Sequence, residues 1–457
     1  MTVPAYPDPY RIRPFSEPVA GEVVLPGSKS LTNRALILAA LSERDVTLMD
    51  SLDSRDTQLM IDALRTLGFI IETETSGEAI RVEGLAGDIP RREAVLDVGN
   101  SGTTARFLTA LLCLHPGGTY RVDGDAAMRE RPMAGLTDVL TAWAGARFTF
   151  HGREGHIPFT LETRGLPGGV GQLDASASSQ ILSAVLMVAP YADADVTLHI
   201  RGEKLRQPYV DMTLGLMRQF GQRCDVDRNT LTYRVDTGDP YPEAPASYVV
   251  EPDASAASYF LALPLAVPAT LTLRHLGTVC LQGDIAFAGV VAEAGVSLNR
   301  QPGSWEASSP RPGGRGVDRD FFDISDTFMT LAAVSPLLTG STTLSGIAHT
   351  RNQETDRVAA MAAELRKLGQ RVEESNDRLI VHPDPQALRE IALDRITEID
   401  TYEDHRIAMS FGILGCADIR GDGKPWLAIR DPACCGKTFP GFFRVLESLQ
   451  PNSPSRP

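Results

Sequence analysis

The sequence predicts an α/β protein of two domains built from six strand–turn–helix repeats, and three observations carry that expectation. The chain has 457 residues with 43% hydrophobic content, more than one ordinary core accommodates, so two domains are expected. A strand-like segment runs six times into a small polar turn and then a helix rich in Ala, Leu and Met. The six helices are apolar nearly all round, which is the pattern of helices buried inside a fold.

In order, the repeats are "VVLPGSKSLTNRALILAAL", "LDVGNSGTTARFLTALL", "LDASASSQILSAVLMVAP", "YVVEPDASAASYFLALPLAV", "DISDTFMTLAAVSPLL" and "IDTYEDHRIAMSFGIL". Equivalent helix starts are expected near Arg34, Arg106, Gln180, Ser258, Phe328 and Arg406, about 74 residues apart on average, too long for a thin solenoid repeat. Each unit has room for several strands and two helices. Second helices follow in segments such as "TQLMIDALRTLG" and "RVAAMAAELRKLG", both ending in Leu-Gly, which suits a helix C-terminus. The polar turns carry Ser, Thr, Asn or Asp, residues that cap free backbone N–H groups. Singly, each turn reads as the cap of a core helix. Six copies, with Arg or Lys in the first, second and last, point to an anion site built from helix ends and cations.

The formal net charge of -14 argues against nucleic acid as a partner. A small anionic substrate remains compatible with it, because a few buried Arg and Lys dominate the field of a cleft. The six cysteines, at 113, 224, 280, 416, 434 and 435, form no C-x-x-C pair, and a reducing, cytoplasmic location is expected. Adjacent Cys434 and Cys435 read as packed thiols. "MTVPAYPDPYRIRPF" has no apolar core of a signal peptide. No apolar run is long enough to span a membrane, and "PNSPSRP" reads as a frayed tail.

"LPGSKS" sits at a strand-to-helix turn and invites comparison with a nucleotide P-loop. The P-loop pattern G-x-x-x-x-G-K-[ST] fails, because Gly27 is followed by Ser28 ahead of Lys29. Gly436-Lys437-Thr438 also fails, with Asp431 where the first glycine is required. "GNSGTT" lacks the G-x-G-x-x-G of a dinucleotide site. The positions that carry charge are nonetheless suggestive. Arg34, at the start of an apolar helix, would be costly to bury without an anion. No second His or Cys stands at metal spacing around His405, which reads as an orienting or site-lining residue.

"LPGSKSLTNRALILAAL", "GNSGTTARFL", "MRERPM", "SASSQ", "QPYVDMT", "QETDR", "YEDHRIAM" and "GKTFPGFF" together, in this order, resemble the 5-enolpyruvylshikimate-3-phosphate synthase family of enolpyruvyl transferases, over roughly Glu22 to Leu449. The resemblance implies a two-domain inside-out α/β barrel. Each domain has three βαβαββ units with helices inside and sheets outside, and the active-site cleft lies between the domains and closes on substrates. The implied first domain is 28–249, on the shikimate 3-phosphate side. The second combines 1–27 with 250–457, with crossings near 26–28 and 249–251.

The resemblance also implies the reaction: phosphoenolpyruvate gives its enolpyruvyl group to the 5-hydroxyl of shikimate 3-phosphate, and phosphate leaves. No metal or organic cofactor is implied, and a monomer is expected. The chemistry calls for general acid and base groups inside a cationic cage for phosphates and carboxylates. On the family pattern, Lys29 bridges the substrates, and Asp326 and Glu354 are the acid/base carboxylates. Ser30, Arg34, Ser178, Ser179, Gln180, Arg206, Tyr209, Asp326, His349 and Gln353 fall on the shikimate 3-phosphate side. Gly102, Thr103, Arg131, Gln180, Glu354, Arg357, Arg406 and Lys437 fall on the phosphoenolpyruvate side. Arg suits such a cage because its fork pairs bidentately with carboxylate and phosphate. The family is the target of glyphosate, which occupies the phosphoenolpyruvate position.

The match departs from the family pattern in places. Phe107 stands where Pro is common, Ala127 where Arg is often seen, Gln353 where Lys is usual, His349 where Asn is common and Arg206 where Ser is usual. Arg206 is expected to supply phosphate charge that Gln353 cannot. Asp326 has a second reading, as the cap of the helix "TFMTLAAV". The alternatives to the reaction are enolpyruvyl transfer to UDP-N-acetylglucosamine and a non-catalytic relative that binds phosphorylated metabolites. Against the first stand Lys29-Ser30 in place of Lys-Asn and a segment Thr119 to Pro132 without cysteine. Against the second stand Lys29, Asp326 and Glu354.

Overall fold

The computed structural model describes residues 6–74, 79–175, 178–202 and 205–450; the tail "PNSPSRP" lies outside them. The chain divides into two compact units. One runs Gly27–Val250, and the other joins the segment up to Pro26 to the chain from Glu251 onward. The class is mixed α/β.

In the first unit three four-stranded sheets follow one plan, a parallel pair extended by two antiparallel strands. Glu93–Asp97 runs parallel to Pro116–Asp123, followed by Phe159–Arg164 and Arg147–Phe150. Gly169–Asp174 runs parallel to Val196–Arg201, followed by Thr232–Val235 and Asp225–Asp227. The third sheet holds Val46–Met49, Ala79–Val82 and Ile71–Thr73. Its parallel edge is Ser247–Val249, from the far end of the unit. The strand that precedes the first helix in sequence, Val19–Val23, pairs instead with Ala269–Arg274 in the second unit. The two units have thus exchanged first strands. Gly27 opens the first unit, and a Cβ there would lie 2.0 Å from the Asp50 carbonyl oxygen, so only glycine fits.

The second unit repeats the plan. Val19–Val23 and Ala269–Arg274 are followed by Ser304–Ser309 and Ser297–Gln301. Asp318–Asp320 and Thr342–Ser345 are followed by Arg378–His382 and Arg371–Ser375. The last sheet has three strands. Thr397–Ile399 runs parallel to Leu427–Ile429, and the N-terminal Tyr10–Arg11 closes it antiparallel. The sixth repeat therefore borrows its antiparallel strand from the opposite end of the chain.

The six predicted helices are all present: Lys29–Leu41, Gly102–Leu112 and Ser179–Val188 in the first unit, and Ala254–Ala266, Phe328–Val334 and His405–Gly415 in the second. Nearly every residue of each is buried. Strands such as Ala269–Arg274 alternate, with Ala269, Leu271 and Leu273 buried, so one face of the sheet packs inward and the other is wet. In the second unit the three buried helices pack on one another, and Ser258 Oγ lies 2.9 Å from Thr330 Oγ1 between two of them.

Three helices begin about one turn before the residues that the sequence pattern marks: at Lys29 rather than Arg34, Gly102 rather than Arg106, and Ala254 rather than Ser258. The cause is the cap. Ser28 accepts from Leu31 N, Ser101 from Thr104 N and Asp253 from Ala256 N, which starts each helix earlier. Ser178 and Asp404 cap two more. The helix after Asp326 is preceded by Thr327 and has no side-chain cap, so the reading of Asp326 as a cap is set aside. The "TQLMIDALRTLG" and "RVAAMAAELRKLG" helices end at Thr66 and Lys367, ahead of their Leu-Gly pairs.

Candidate active site

In the first unit the cations stand at buried helix starts. Lys29 is the first residue of its helix rather than part of a loop, and its Nζ lies 3.3 Å from Asp56 Oδ2. Asp56 is itself in the first turn of the helix Arg55–Thr66. Arg34 lies one turn further in and is 2% exposed. Its Nε donates to Thr213 Oγ1 at 2.7 Å, Nη1 to the Ser30 carbonyl at 2.9 Å and Nη2 to the Tyr209 carbonyl at 3.3 Å. Its guanidinium lies over the Phe107 ring, 5.1 Å from the centroid. Among the described residues no carboxylate lies within ion-pair reach of it. Burial accordingly pulls its proton affinity down, to about 10.

Gly102 begins the second buried helix at the point where two guanidiniums converge. A Cβ there would lie 2.7 Å from Arg106 Nη1 and 2.7 Å from Arg131 Nη2. Arg106 Nη1 also donates to Gln180 Oε1 at 2.9 Å, and Gln180 Nε2 reaches Thr103 Oγ1 at 3.4 Å. These bonds draw the Gly102 and Ser179 helix starts together. Ser178 caps the second of these through Gln180 N, and Ser179 is its buried first residue. Arg206 precedes the helix Gln207–Gln219 and lies 5.5 Å over the Tyr209 ring.

The second unit carries a denser cluster. Arg357, the first residue of its helix, is 1% exposed. It meets three carboxylates: Asp326 Oδ1 at 3.0 Å from Nη1, Glu354 Oε2 at 2.8 Å from Nη2 and Asp404 Oδ2 at 2.7 Å from Nε. Nη1 also donates to Gln353 Oε1. The other Asp326 oxygen accepts from Arg406 Nη2 at 2.8 Å, and the other Glu354 oxygen lies 3.1 Å from Lys437 Nζ. Asp326 and Glu354 are therefore each held between two cations, and Arg357 is common to both. Burial works to lower the proton affinities of Arg357 and Arg406, but the carboxylates outweigh it and both end above the ordinary arginine value. His349 meets the Phe322 ring edge-on with centroids 5.6 Å apart. His405 is fully buried at the helix start beside Arg406.

Contacts in the first unit join Arg34 to Ser30 and Tyr209, Arg206 to Tyr209, Gly102 to Arg131 and Thr103 to Gln180. In the second they gather Asp326, Gln353, Glu354, Arg406 and Lys437 around Arg357, while Lys29 meets Asp56 and His349 meets Phe322. Several partners were not flagged by the motifs. Arg106 and Asp404 stood inside recognised segments without an assigned contact. Thr213, the last residue of "QPYVDMT", did too, whereas Asp56 and Asp284 stood outside them. Asp284 is buried, its Oδ2 accepts from the Ser255 hydroxyl, and burial followed by the Asp326 charge pushes its carboxyl up to about 7. Chemically, the arrangement offers a buried cation among neutral partners, a glycine against which two guanidiniums pack, and two oriented carboxylates.

Comparison with known proteins places these features in context. The family described as EPSP synthase (3-phosphoshikimate 1-carboxyvinyltransferase) matches residues 15–446. A 3-phosphoshikimate 1-carboxyvinyltransferase of Opitutus terrae is 50% identical over 450 residues, covering 98% of this chain and 99% of that protein. One from Nostoc punctiforme is 39% identical over 446 residues, covering 97% and 100%. The solved structure of EPSP synthase from Acinetobacter baumannii superposes with a TM-score of 0.76 at 22% identity, covering 96% of this chain and 98% of that one, which establishes likeness of fold.

Proposed function

The chain belongs to the EPSP synthase (3-phosphoshikimate 1-carboxyvinyltransferase) family, and from that premise we propose how its residues divide the reaction. The enzyme transfers the enolpyruvyl group of phosphoenolpyruvate to the 5-hydroxyl of shikimate 3-phosphate, in the shikimate pathway. Arg34, with Ser30, Ser178, Ser179, Gln180, Arg206, Tyr209, His349 and Gln353, binds shikimate 3-phosphate. Arg131, Arg357, Arg406 and Lys437, with Gly102 and Thr103, bind phosphoenolpyruvate.

Asp326 takes the proton of the attacking 5-hydroxyl. Lys29 and Glu354 serve the enol carbon, which gains a proton as the C–O bond forms at its neighbour. The tetrahedral species then loses phosphate by C–O cleavage and returns that proton, restoring the enol. Microscopic reversibility lets one group do both transfers at that carbon. The observation that carries this reading is the shared anchor. Arg357 fixes Asp326 and Glu354 at once, and each carboxylate has a second cation at its other oxygen. Two carboxylates so oriented can hold separate roles in one reaction.

The reading includes a reducing, cytoplasmic compartment, which six free thiols support. Among the described residues no helix is long and apolar enough to cross a membrane. A phosphate-release assay with each substrate omitted in turn tests the reaction. Release is expected only when shikimate 3-phosphate and phosphoenolpyruvate are both present. Release with UDP-N-acetylglucosamine in place of shikimate 3-phosphate, and none with shikimate 3-phosphate, would overturn it.

A further inference from the structure

In the second unit the turn Gly283–Ala286 packs against the turn Phe322–Ile324, which leads directly into Asp326. Asp284 sits at this junction and is 5% exposed. The groups that act on it come from each surrounding element. Ser255, in the first turn of the Ala254 helix, donates to it, and Asp253 caps that helix. Asp326 follows the facing turn, and Arg406 stands at the start of the His405 helix. Arg406 in turn feels Asp326, Tyr259, Asp284 and Asp253. Asp326 is thus bonded directly to Arg406, and Asp284 and Asp253 add negative charge to its surroundings.

Burial and then the Asp326 charge raise the proton affinity of the Asp284 carboxyl, to about 7. Ionised, it adds to the negative charge that Arg406 already balances and strengthens the hold of Asp326 on a proton. Protonated, it does neither. Carboxyls coupled this closely titrate as a group rather than one by one.

We propose that Asp284 is a positioning residue for the enolpyruvyl transfer: by holding or releasing a proton, it sets how much of the Arg406 charge remains for phosphoenolpyruvate. The inference rests on the assignment of Asp326 and Arg406 to the reaction and adds a group that touches neither substrate.

The test is the KM for phosphoenolpyruvate of the parent and of Asp284→Asn, from about pH 6 to about pH 8.5. Asparagine keeps the shape and an acceptor for Ser255 but cannot ionise. Titration of the substrate is common to both proteins and cancels in the ratio of the two KM values. The ratio of variant to parent is expected to fall roughly three- to tenfold as pH rises through neutrality, because the parent gains a charge that the variant cannot. A flat ratio overturns the proposal. Ser255→Ala removes a hydrogen bond that favours the carboxylate, so the break in its KM profile is expected at higher pH than in the parent. An unmoved break counts against the proposal even where the asparagine variant does not fold. A flat ratio alongside an inactive Asp326→Asn enzyme defeats the role of Asp284 alone; parent-like turnover by Asp326→Asn defeats the site assignment itself.

Discussion

Arg357 Nη1 donates to Asp326 Oδ1 at 3.0 Å, and the same guanidinium holds Glu354 and Asp404. One buried cation is thus shared by three carboxylates that would otherwise repel one another, with Arg406 and Lys437 supplying second cations to Asp326 and Glu354. Removing one member of such a buried pair leaves uncompensated charge and costs about 3–5 kcal/mol. Arg357→Ala is expected to lose stability on that scale in urea unfolding. A loss under about 1 kcal/mol, the range of exposed ion pairs, would show that the cluster is not a single electrostatic unit.

Gly102→Ala is a question of space. A methyl group there meets Arg106 and Arg131, each 2.7 Å from the ideal Cβ position. Overpacking of this kind costs about 1–3 kcal/mol, or roughly five- to a hundredfold in an equilibrium constant. The expected result is a raised KM for phosphoenolpyruvate with weaker inhibition by glyphosate. The affinity for shikimate 3-phosphate should change less. Unchanged kinetics and inhibition would place Gly102 away from the substrate.

Arg34 is buried among neutral partners. Shikimate 3-phosphate should therefore raise the melting temperature of the parent strongly. Arg34→Met should lose most of that response, since a hydrogen bond to a charged group is worth about 1.5–3 kcal/mol. Thr213 keeps partners in Ser183 and the Tyr209 carbonyl after the change. The unliganded variant should therefore melt no lower than the parent. A lower melting temperature with an intact ligand response would assign Arg34 to packing instead.

Asp284 gives stability a pH dependence of definite sign. Its carboxyl is raised in the folded state to about 7 from 3.8, so folding favours the protonated form. That contribution is complete below the unfolded value, around pH 4, and is lost as pH rises through about 7. Asp284→Asn should gain stability over the parent with rising pH, reaching on the order of a few kcal/mol by about pH 8. Parallel melting-temperature profiles for the two proteins would contradict this.

The legible part of the fold was local. Helices that are apolar all round announce burial, and six of them announced the repeats. Helix starts were misplaced by a turn where Ser28, Ser101 and Asp253 act as caps ahead of the residues that mark the pattern. The strand exchange between Val19–Val23 and Ser247–Val249 is non-local. No periodicity in a short strand says which distant partner it takes, and only the family resemblance suggested it. The site shows the same division. Arg34 and Arg406 stood out as charges at apolar helix starts and Arg357 only through the family resemblance, whereas Asp284 and Asp56 are set by long-range contact. Gln353 departs from the family lysine, and its geometry supplies a reason. Its Oε1 accepts from Arg357, where a lysine would add a repelling charge.

The central claim is that Asp326 and Glu354, fixed by Arg357, carry the proton transfers. Its most direct test is turnover by Asp326→Asn and Glu354→Gln, measured as phosphate release at saturating substrates. General acid–base groups contribute about 10²–10⁴-fold. Each variant should lose kcat on that scale while holding both substrates with affinities near those of the parent. A kcat within a few-fold of the parent for either variant would remove that carboxylate from the chemistry.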